Sequence, residues 1–348
     1  MKIALLNDTH FGVRNDSPAF MEYQNKFYND LFFPYLIENN IKTLIHLGDV
    51  VDRRKFINHN TAHNFKKVFW NRLEELDIDT HIIIGNHDTY YKNTNEVNAM
   101  QNLNLSKNCK VYLRATEKEF GGCNILFLPW ICDDNYDDSI HAIDHSTSTI
   151  AMGHLEVKGF EMHAGHVNEQ GLDKNQFTKF EKVLSGHFHK KSDDGRIYYL
   201  GTQYEMTWSD YRCPKGFHIF DTETREIERV VNPLTMFEKV IYNDKENDYL
   251  TMNIDHLNHK HIKLFVSNKT NDDMYNMFID RLYNQINIHE LNVIEDSMDL
   301  NTTVRDDILE QGEDTLTFLR NYIDQIETDV DKSKLKEFAK ELYVEASE

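Results

Sequence analysis

The chain has 348 residues, 40% hydrophobic and 12% aromatic, enough for one large folded domain with appendages and against a disordered tract. Its net charge of −20 excludes a protein that coats nucleic acid by bulk attraction, since duplex binding relies on clustered Lys and Arg; local basic patches or a basic partner stay open. Cys109, Cys123, Cys132 and Cys213 show no CxxC spacing and read as free thiols, the opening apolar run is too short for a signal peptide, and no stretch approaches a membrane span, so a cytoplasmic protein is expected.

Ile3 to Asn7 read as a first buried strand, which ends in Asp8-Thr9-His10-Phe11-Gly12. Ser17-Pro18 reads as an N-cap followed by proline at the first helical position. Phe20, Phe27, Leu31 and Tyr35 recur at helical spacing, and Pro34 should kink or end that helix. Thr43 to Leu47 form a β-branched and apolar second strand; Gly48 then turns the chain, and Asp49-Val50-Val51-Asp52 follow. A helix from about Asn60 to Leu76 presents Phe65, Val68, Phe69, Leu73 and Leu76 on one face. Thr80 to Ile84 make a third strand and deliver Gly85-Asn86-His87-Asp88.

Further strands are expected at Cys109 to Leu113, Asn124 to Leu128 and Thr149 to Met152, the last ending in Gly153-His154. Lys182 to Ser185 lead into Gly186-His187-Phe188-His189, and Arg196 to Leu200, Gly216 to Phe220 and Glu226 to Val231 close the series. Strands alternate with helices early and cluster late. That order implies an α/β sandwich of two mixed sheets flanked by helices, not a simple doubly wound sheet. The composition shifts near Pro233. Residues 1–235 form the first expected domain. Residues 236–296 read as strand, strand, helix, strand, a small α/β module. A polar linker spans 297–313, and amphipathic helices over about 314–326 and 331–346 end the chain. In those helices Tyr322, Phe338 and Tyr343 read as aromatic anchors for a partner.

Asp49 alone reads as either a turn residue or a metal ligand at a strand's carboxyl end. Four other stretches tip the balance. Asp8-x-His10, Gly48-Asp49, Gly85-Asn86-His87, Gly153-His154 and Gly186-His187-x-His189 each follow an apolar strand and each offer oxygen or imidazole ligands. That ligand set suits Mn, Fe or Zn at a two-metal site, which activates a water and stabilises phosphoryl displacement. His46 and His81 read as packed beside their strands, and seven further histidines lack the strand-end context. Asp52, shortly past Asp49, reads as the group that orients His87, with an Asp capping the loop as the competing reading. Arg53, Arg54, Lys55, Lys190 and Lys191 lie beside these motifs and are candidates for local phosphate contacts, against the reading of a solvated charged loop.

The order DxH, GDxxD, GNHD, GH, GHxH resembles the calcineurin-like metallophosphoesterases. Gly153-His154-Leu155-Glu156-Val157-Lys158-Gly159 and the Gly186–His189 pair look most like the SbcD-type nucleases. The length and the tail Leu342-Tyr343-Val344-Glu345-Ala346 are similar to those of phage recombination endonuclease subunits. Gly48–Arg53 also resembles the GDxVDRG of Ser/Thr protein phosphatases, whose next glycine is Arg54 here. The SbcD resemblance implies one metal, Mn²⁺ by preference, on Asp8, His10, Asp49 and His189 and a second on Asp49, Asn86, His154 and His187, with His87 as acid-base or transition-state residue. It implies exonuclease and endonuclease action on DNA in repair, recombination and replication. The module would cap DNA. The C-terminal helices would dock on an SbcC-like coiled-coil ATPase, with the chain a homodimer inside a heterotetramer. The competing readings are a phosphomonoesterase or cyclic-nucleotide phosphodiesterase of the same fold, and an assembly subunit that regulates an ATPase.

Overall fold

The structure, a computed structural model, describes residues 1–103, 105, 108–163 and 166–295, together with 323, 332, 334–336, 338 and 339. The expected linker and nearly all of the two C-terminal helices therefore lie outside the described residues. Of the three aromatic anchors only Phe338 is described, and it is exposed. The chain divides into two compact units, Met1–Met206 with Arg212–Met236, and Thr207–Tyr211 with Phe237–Glu348.

Two six-stranded mixed sheets build the first unit. One runs Ile227–Asn232, Lys215–Asp221, Lys2–Leu6, Thr43–His46, Asp79–Ile83, Cys109–Tyr112 in space. The other runs Ser192–Asp193, Ile197–Tyr199, Lys182–Ser185, Ile150–Gly153, Cys123–Leu128, Thr116–Phe120. Period-two alternation divides the apolar residues between two cores. Ile125, Phe127, Ile150 and Met152 face Ile3, Leu5, Ile45 and Leu47 between the sheets. Leu126, Leu128, Ala151 and Val183 face outward onto Ile143, Phe177 and Phe180.

Lys2–Leu6, Thr43–His46 and Asp79–Ile83 are mutually parallel, and so are Ile150–Gly153 and Lys182–Ser185. Parallel register puts the carboxyl ends of each set at a common edge, and all five motifs begin there.

Several local readings need correction. Ser17 holds the N-cap position and Pro18 the first helical position, as expected, but the Ser17 side chain makes no capping bond. Helical backbone continues past Pro34 to Glu38. A π-helical stretch, Phe27–Phe32, precedes the proline, and Phe33 N–H donates to Tyr28 O. The wider turn clears the ring from the carbonyl it would otherwise meet. The second helix likewise contains a π stretch, Lys66–Trp70, and is capped by Asn58, whose side chain accepts from Thr61 N–H. Phe65, Val68, Phe69 and Leu73 are buried in it, while Leu76 is half-buried. The strand Thr116–Phe120 and the helix Tyr136–His145 have no counterpart among the expected elements. That strand is mostly exposed, so its polar residues carry no apolar alternation to read.

In the second unit Phe237–Asn243, His261–Asn268 and Glu290–Ile294 form a parallel sheet beside the helix Asp272–Asn284. Tyr242, Tyr249, Leu257, Ile262, Leu264, Phe278 and Leu282 fill its core. Thr207–Tyr211 also belongs here: Trp208 packs on Phe237 at 4.7 Å between ring centroids, and Lys263 Nζ lies 4.5 Å over the Trp208 ring. A boundary at residue 235 therefore misses one early segment, because nothing in its local composition marks it. No helix among the described residues is long and apolar enough to cross a membrane.

Candidate metal centre

The loops after the strands are held to one another before any side chain is considered. Asp8 N–H donates to Gly48 O at 2.9 Å, His10 N–H to Asp49 O at 3.1 Å and Phe11 N–H to Val50 O at 2.9 Å. The backbone at the motif residues is strained. Asp8, His10, Asp49 and His187 all have φ between +43° and +86°. Such residues cost on the order of 1–3 kcal/mol each and persist only where the surroundings impose them. Two glycines are required by close approach. A Cβ at Gly48 would stand 2.5 Å from His154 Nδ1, and one at Gly85 would stand 2.2 Å from Asp49 Oδ1.

Asp88 organises these loops. Its carboxylate accepts from the backbone N–H groups of Gly85, Asp49, Val50 and Val51 at 2.8–3.2 Å. Burial and then the charge of Asp49 push its carboxyl up to about 6. Asp88 ends the GNHD motif, whose spacing assigns it no role; an Asp following a strand-end turn is the signal available in the sequence.

Two groups of ligand atoms converge in this frame. Atoms of Asp8, His10 and His189 lie within 4.8 Å of one another, as do atoms of Asp49, His154 and His187. His10 Nε2 and His189 Nε2 face each other at 3.2 Å. Asp49 Oδ2 stands 3.8 Å from His10 Nε2 and 3.3 Å from His154 Nε2, between the two groups. It is fully buried and takes no well-formed hydrogen bond. Asn86 Oδ1 is 2.8 Å from His154 Nε2 and so joins the second group.

A carbonyl oxygen can only accept, so His154 Nδ1, 2.8 Å from Leu47 O, carries a proton; Nε2 faces two further acceptors, Asn86 Oδ1 and Asp49 Oδ2, and would hold a second proton there unless a cation took its place. His10 Nδ1 stands 3.3 Å from Asp52 Oδ1, which favours a proton on that Nδ1 too. Opposed ring nitrogens, fixed tautomers and an orphaned buried carboxylate oxygen suit divalent cations. With protein groups alone, burial opposes charge on His154, but the Asp49 carboxylate outweighs it and lifts the ring to about 9. Burial likewise opposes charge on Asp49, and His154 and His87 hold it well below the usual range.

Asp52 stands beside both His10 and His87, with ligand atoms of all three within 4.8 Å of one another. Its backbone carbonyl contacts His87 Nδ1 at 2.5 Å, while its carboxylate faces His10. The backbone contact puts the proton on His87 Nδ1 and the ring's basic nitrogen at Nε2. His87 N–H also donates to Asp49 Oδ1 at 2.8 Å, and its ring lies 4.8 Å from that of His10.

The basic residues are largely engaged within the protein. Arg53 pairs with Asp16 at 3.7 Å, bonds Asn15 and covers Phe56; Arg54 reaches Thr89. Lys190 pairs with Glu161 at 2.7 Å and Lys191 with Asp193 at 3.2 Å, and both Lys55 and Lys191 are exposed. His46 and His81 are buried beside their strands, and burial lowers His46 to about 3. Trp130, which no sequence motif singles out, lies against the second ligand group, 5.2 Å from the His187 ring and 6.1 Å from that of His154.

The family model for Calcineurin-like phosphoesterase matches residues 1–191. Exonuclease subunit 1 of Enterobacteria phage T4 is 32% identical over 354 aligned positions that cover 100% of both chains. The SbcD component of nuclease SbcCD from Staphylococcus saprophyticus is 22% identical over 295 positions, 81% of this chain and 73% of that one. Among solved structures, a dimetal phosphatase from Danio rerio is 12% identical over 63% of this chain and 91% of its own, with a TM-score of 0.41.

Proposed function

We propose, from the premise that this chain belongs to the calcineurin-like phosphoesterase family, that it is a metal-dependent DNA nuclease subunit hydrolysing phosphodiester bonds. The observation that carries the reading is the pair of converging ligand groups with Asp49 Oδ2 between them. We assign Asp8, His10, Asp49 and His189 to one ion and Asp49, Asn86, His154 and His187 to the other. Mn²⁺ is the ion we favour for this mixture of imidazole and oxygen donors. When bound, such ions supply Lewis acidity toward phosphoryl oxygens and lower the pKa of a bound water.

The chain's own residues supply the rest. Asp52 and Leu47 O hold the ring tautomers of His10 and His154. Asp88 holds the loops that carry Asp49 and Asn86. His87, with its proton on Nδ1, moves a proton at Nε2 between water and the leaving oxygen.

The partner is proposed by likeness to the SbcCD nuclease: an SbcC-like coiled-coil ATPase, docked through residues 314–348, in a heterotetramer containing two copies of this chain. The second unit then caps the DNA. Of the five basic candidates, Lys55 and Lys191 are exposed; Lys191 would exchange its pairing with Asp193 for a phosphate, and Arg53, Arg54 and Lys190 would exchange their own contacts. Such a DNA-processing protein works in the cytoplasm.

Supercoiled-plasmid nicking with Mn²⁺, run beside p-nitrophenyl phosphate hydrolysis, tests the activity. Plasmid cleavage is expected; monoester turnover with intact plasmid would overturn it. Deleting the residues after Asn301 should preserve Mn²⁺-dependent cleavage of short DNA and abolish co-purification with the ATPase. Full-affinity ATPase binding by the truncated chain would refute the docking role.

A further inference from the structure

A pocket of about 440 Å³ opens in the first unit beside the metal centre. That is the size range of small-molecule sites. Trp130 is shared between the two: it lines the pocket, and its ring lies 5.2 Å from the His187 ring. Its backbone is pinned on both sides. Trp130 N–H donates to Ile84 O at 2.8 Å, and Asn95 and Asn135 side-chain amides donate to Trp130 O at 2.8 and 3.0 Å. The ring is therefore a preorganised wall. Tyr136, 47% exposed, adds a second aromatic surface.

The polar lining is rich in acceptors. Glu156 and Asp173 contribute carboxylates, and Gln176 Oε1 is buried without a hydrogen-bond donor among the described residues. Lys158 is the one cation among the lining residues. Two carboxylates against one ammonium disfavour a phosphate in the pocket. Aromatic walls and acceptors favour a flat, uncharged group that carries N–H donors.

We propose that this pocket takes the nucleobase of a nucleotide flanking the scissile phosphate, stacked on Trp130 with its exocyclic amine donating to Gln176 Oε1. The assignment rests on the nuclease reading for what lies beside it: Trp130 adjoins the His187 and His154 rings, so a nucleotide whose phosphate is held there has the indole as a neighbour. The acceptor lining favours adenine, cytosine or guanine, whose exocyclic amine carries two N–H donors, over thymine, which offers only its ring N3–H. A frayed or unpaired nucleotide would be preferred to one in a stacked duplex, because the base must leave its neighbours to enter.

The test has a metal-free arm and a cleavage arm. Titrating the full chain, without metal, with dAMP, dTMP or deoxyribose 5-phosphate should quench tryptophan fluorescence, and Trp130→Phe attributes the signal. The base should tighten binding by about tenfold over the sugar phosphate through stacking on the indole. dAMP should exceed dTMP by roughly fivefold through the one added hydrogen bond, and Gln176→Leu should erase that preference while both nucleotides still bind. Equal binding of dAMP and deoxyribose 5-phosphate overturns the proposal. In the second arm, single-stranded oligonucleotides carry one abasic residue at successive positions, with Mn²⁺. Cleavage should fall about tenfold at the linkage beside the missing base; uniform cleavage at every position overturns the proposal and leaves the nuclease reading standing. If intact oligonucleotides are not cut either, the nuclease reading falls, and the proposal with it.

Discussion

The first unit buries Asp8, Asp49, Asn86, Asp88, His154 and His187, none more than 7% exposed, whereas the second fills its core with Tyr242, Tyr249, Leu257, Ile262, Leu264, Phe278 and Leu282. The second unit also buries polar groups, and the Tyr242 hydroxyl among them takes no well-formed hydrogen bond, but the buried charges Asp210 and Lys263 are matched. Asp210 closes a capping box with Thr207, and Lys263 lies over the Trp208 ring. In the first unit Asp49 Oδ2 has no well-formed hydrogen bond, and ligand residues hold left-handed backbone conformations. Burying polar groups without partners is costly, so such an arrangement is expected where a ligand completes it. The difference teaches where to look for chemistry: in buried groups that the fold leaves incomplete, not in the number of charged residues.

The largest expected effect is at Asp49. Asp49→Asn removes the charge that lies between both ligand groups, and Mn²⁺-dependent DNA cleavage should fall to background. Unchanged cleavage by this variant would break the contrast between the units at its centre. His87→Ser should slow cleavage by roughly 10²–10⁴-fold, the range of a lost acid-base group, while calorimetry still detects metal binding. Loss of metal from that variant would make His87 a ligand.

Phe278→Ala probes the other side of the contrast. Truncating a fully buried core phenylalanine costs about 3–5 kcal/mol. Amide exchange should therefore quicken across residues 237–295 and not across 1–206. Equal loosening of both would mean that the units unfold together.

Asp52→Asn should weaken Mn²⁺ binding about 10–100-fold, the usual effect of removing the carboxylate behind a ligand histidine. A fall in turnover with metal affinity unchanged would assign the carboxylate to His87 after all.

The smallest effect concerns acid stability. Burial, reinforced by Arg229 and Lys191, lowers His218 in the first unit to about 3. A folded value below the unfolded one means the contribution is present above pH ~6.5 and is lost as the pH falls toward 3. Between pH 8 and 5 the His218 share is about 2 kcal/mol of unfolding free energy. His218→Phe should flatten the pH profile of urea unfolding by that amount, and an unaltered profile would show that the ring is protonated in place.

Much of the first unit was legible in the amino-acid order. Strands at Lys182–Ser185, Thr43–His46 and Asp79–Ile83, and the motif after each, follow from apolar runs broken by glycine, which are local signals. What the tertiary structure decided was the pairing of groups far apart in the chain. Asp52 sends its carboxylate to His10, 42 positions before it, and its carbonyl to His87, 35 positions after it. Lys190 meets Glu161, 29 positions before it. Asp88 satisfies backbone donors on a loop 37 to 39 residues away, and Trp130 joins a pocket to the imidazoles of His154 and His187. Trp208 packs with a unit that begins at Phe237. Propensity, turns and alternation act over a few residues and determine which elements form. Which polar atom meets which depends on how the elements cross, and only the assembled fold determines that.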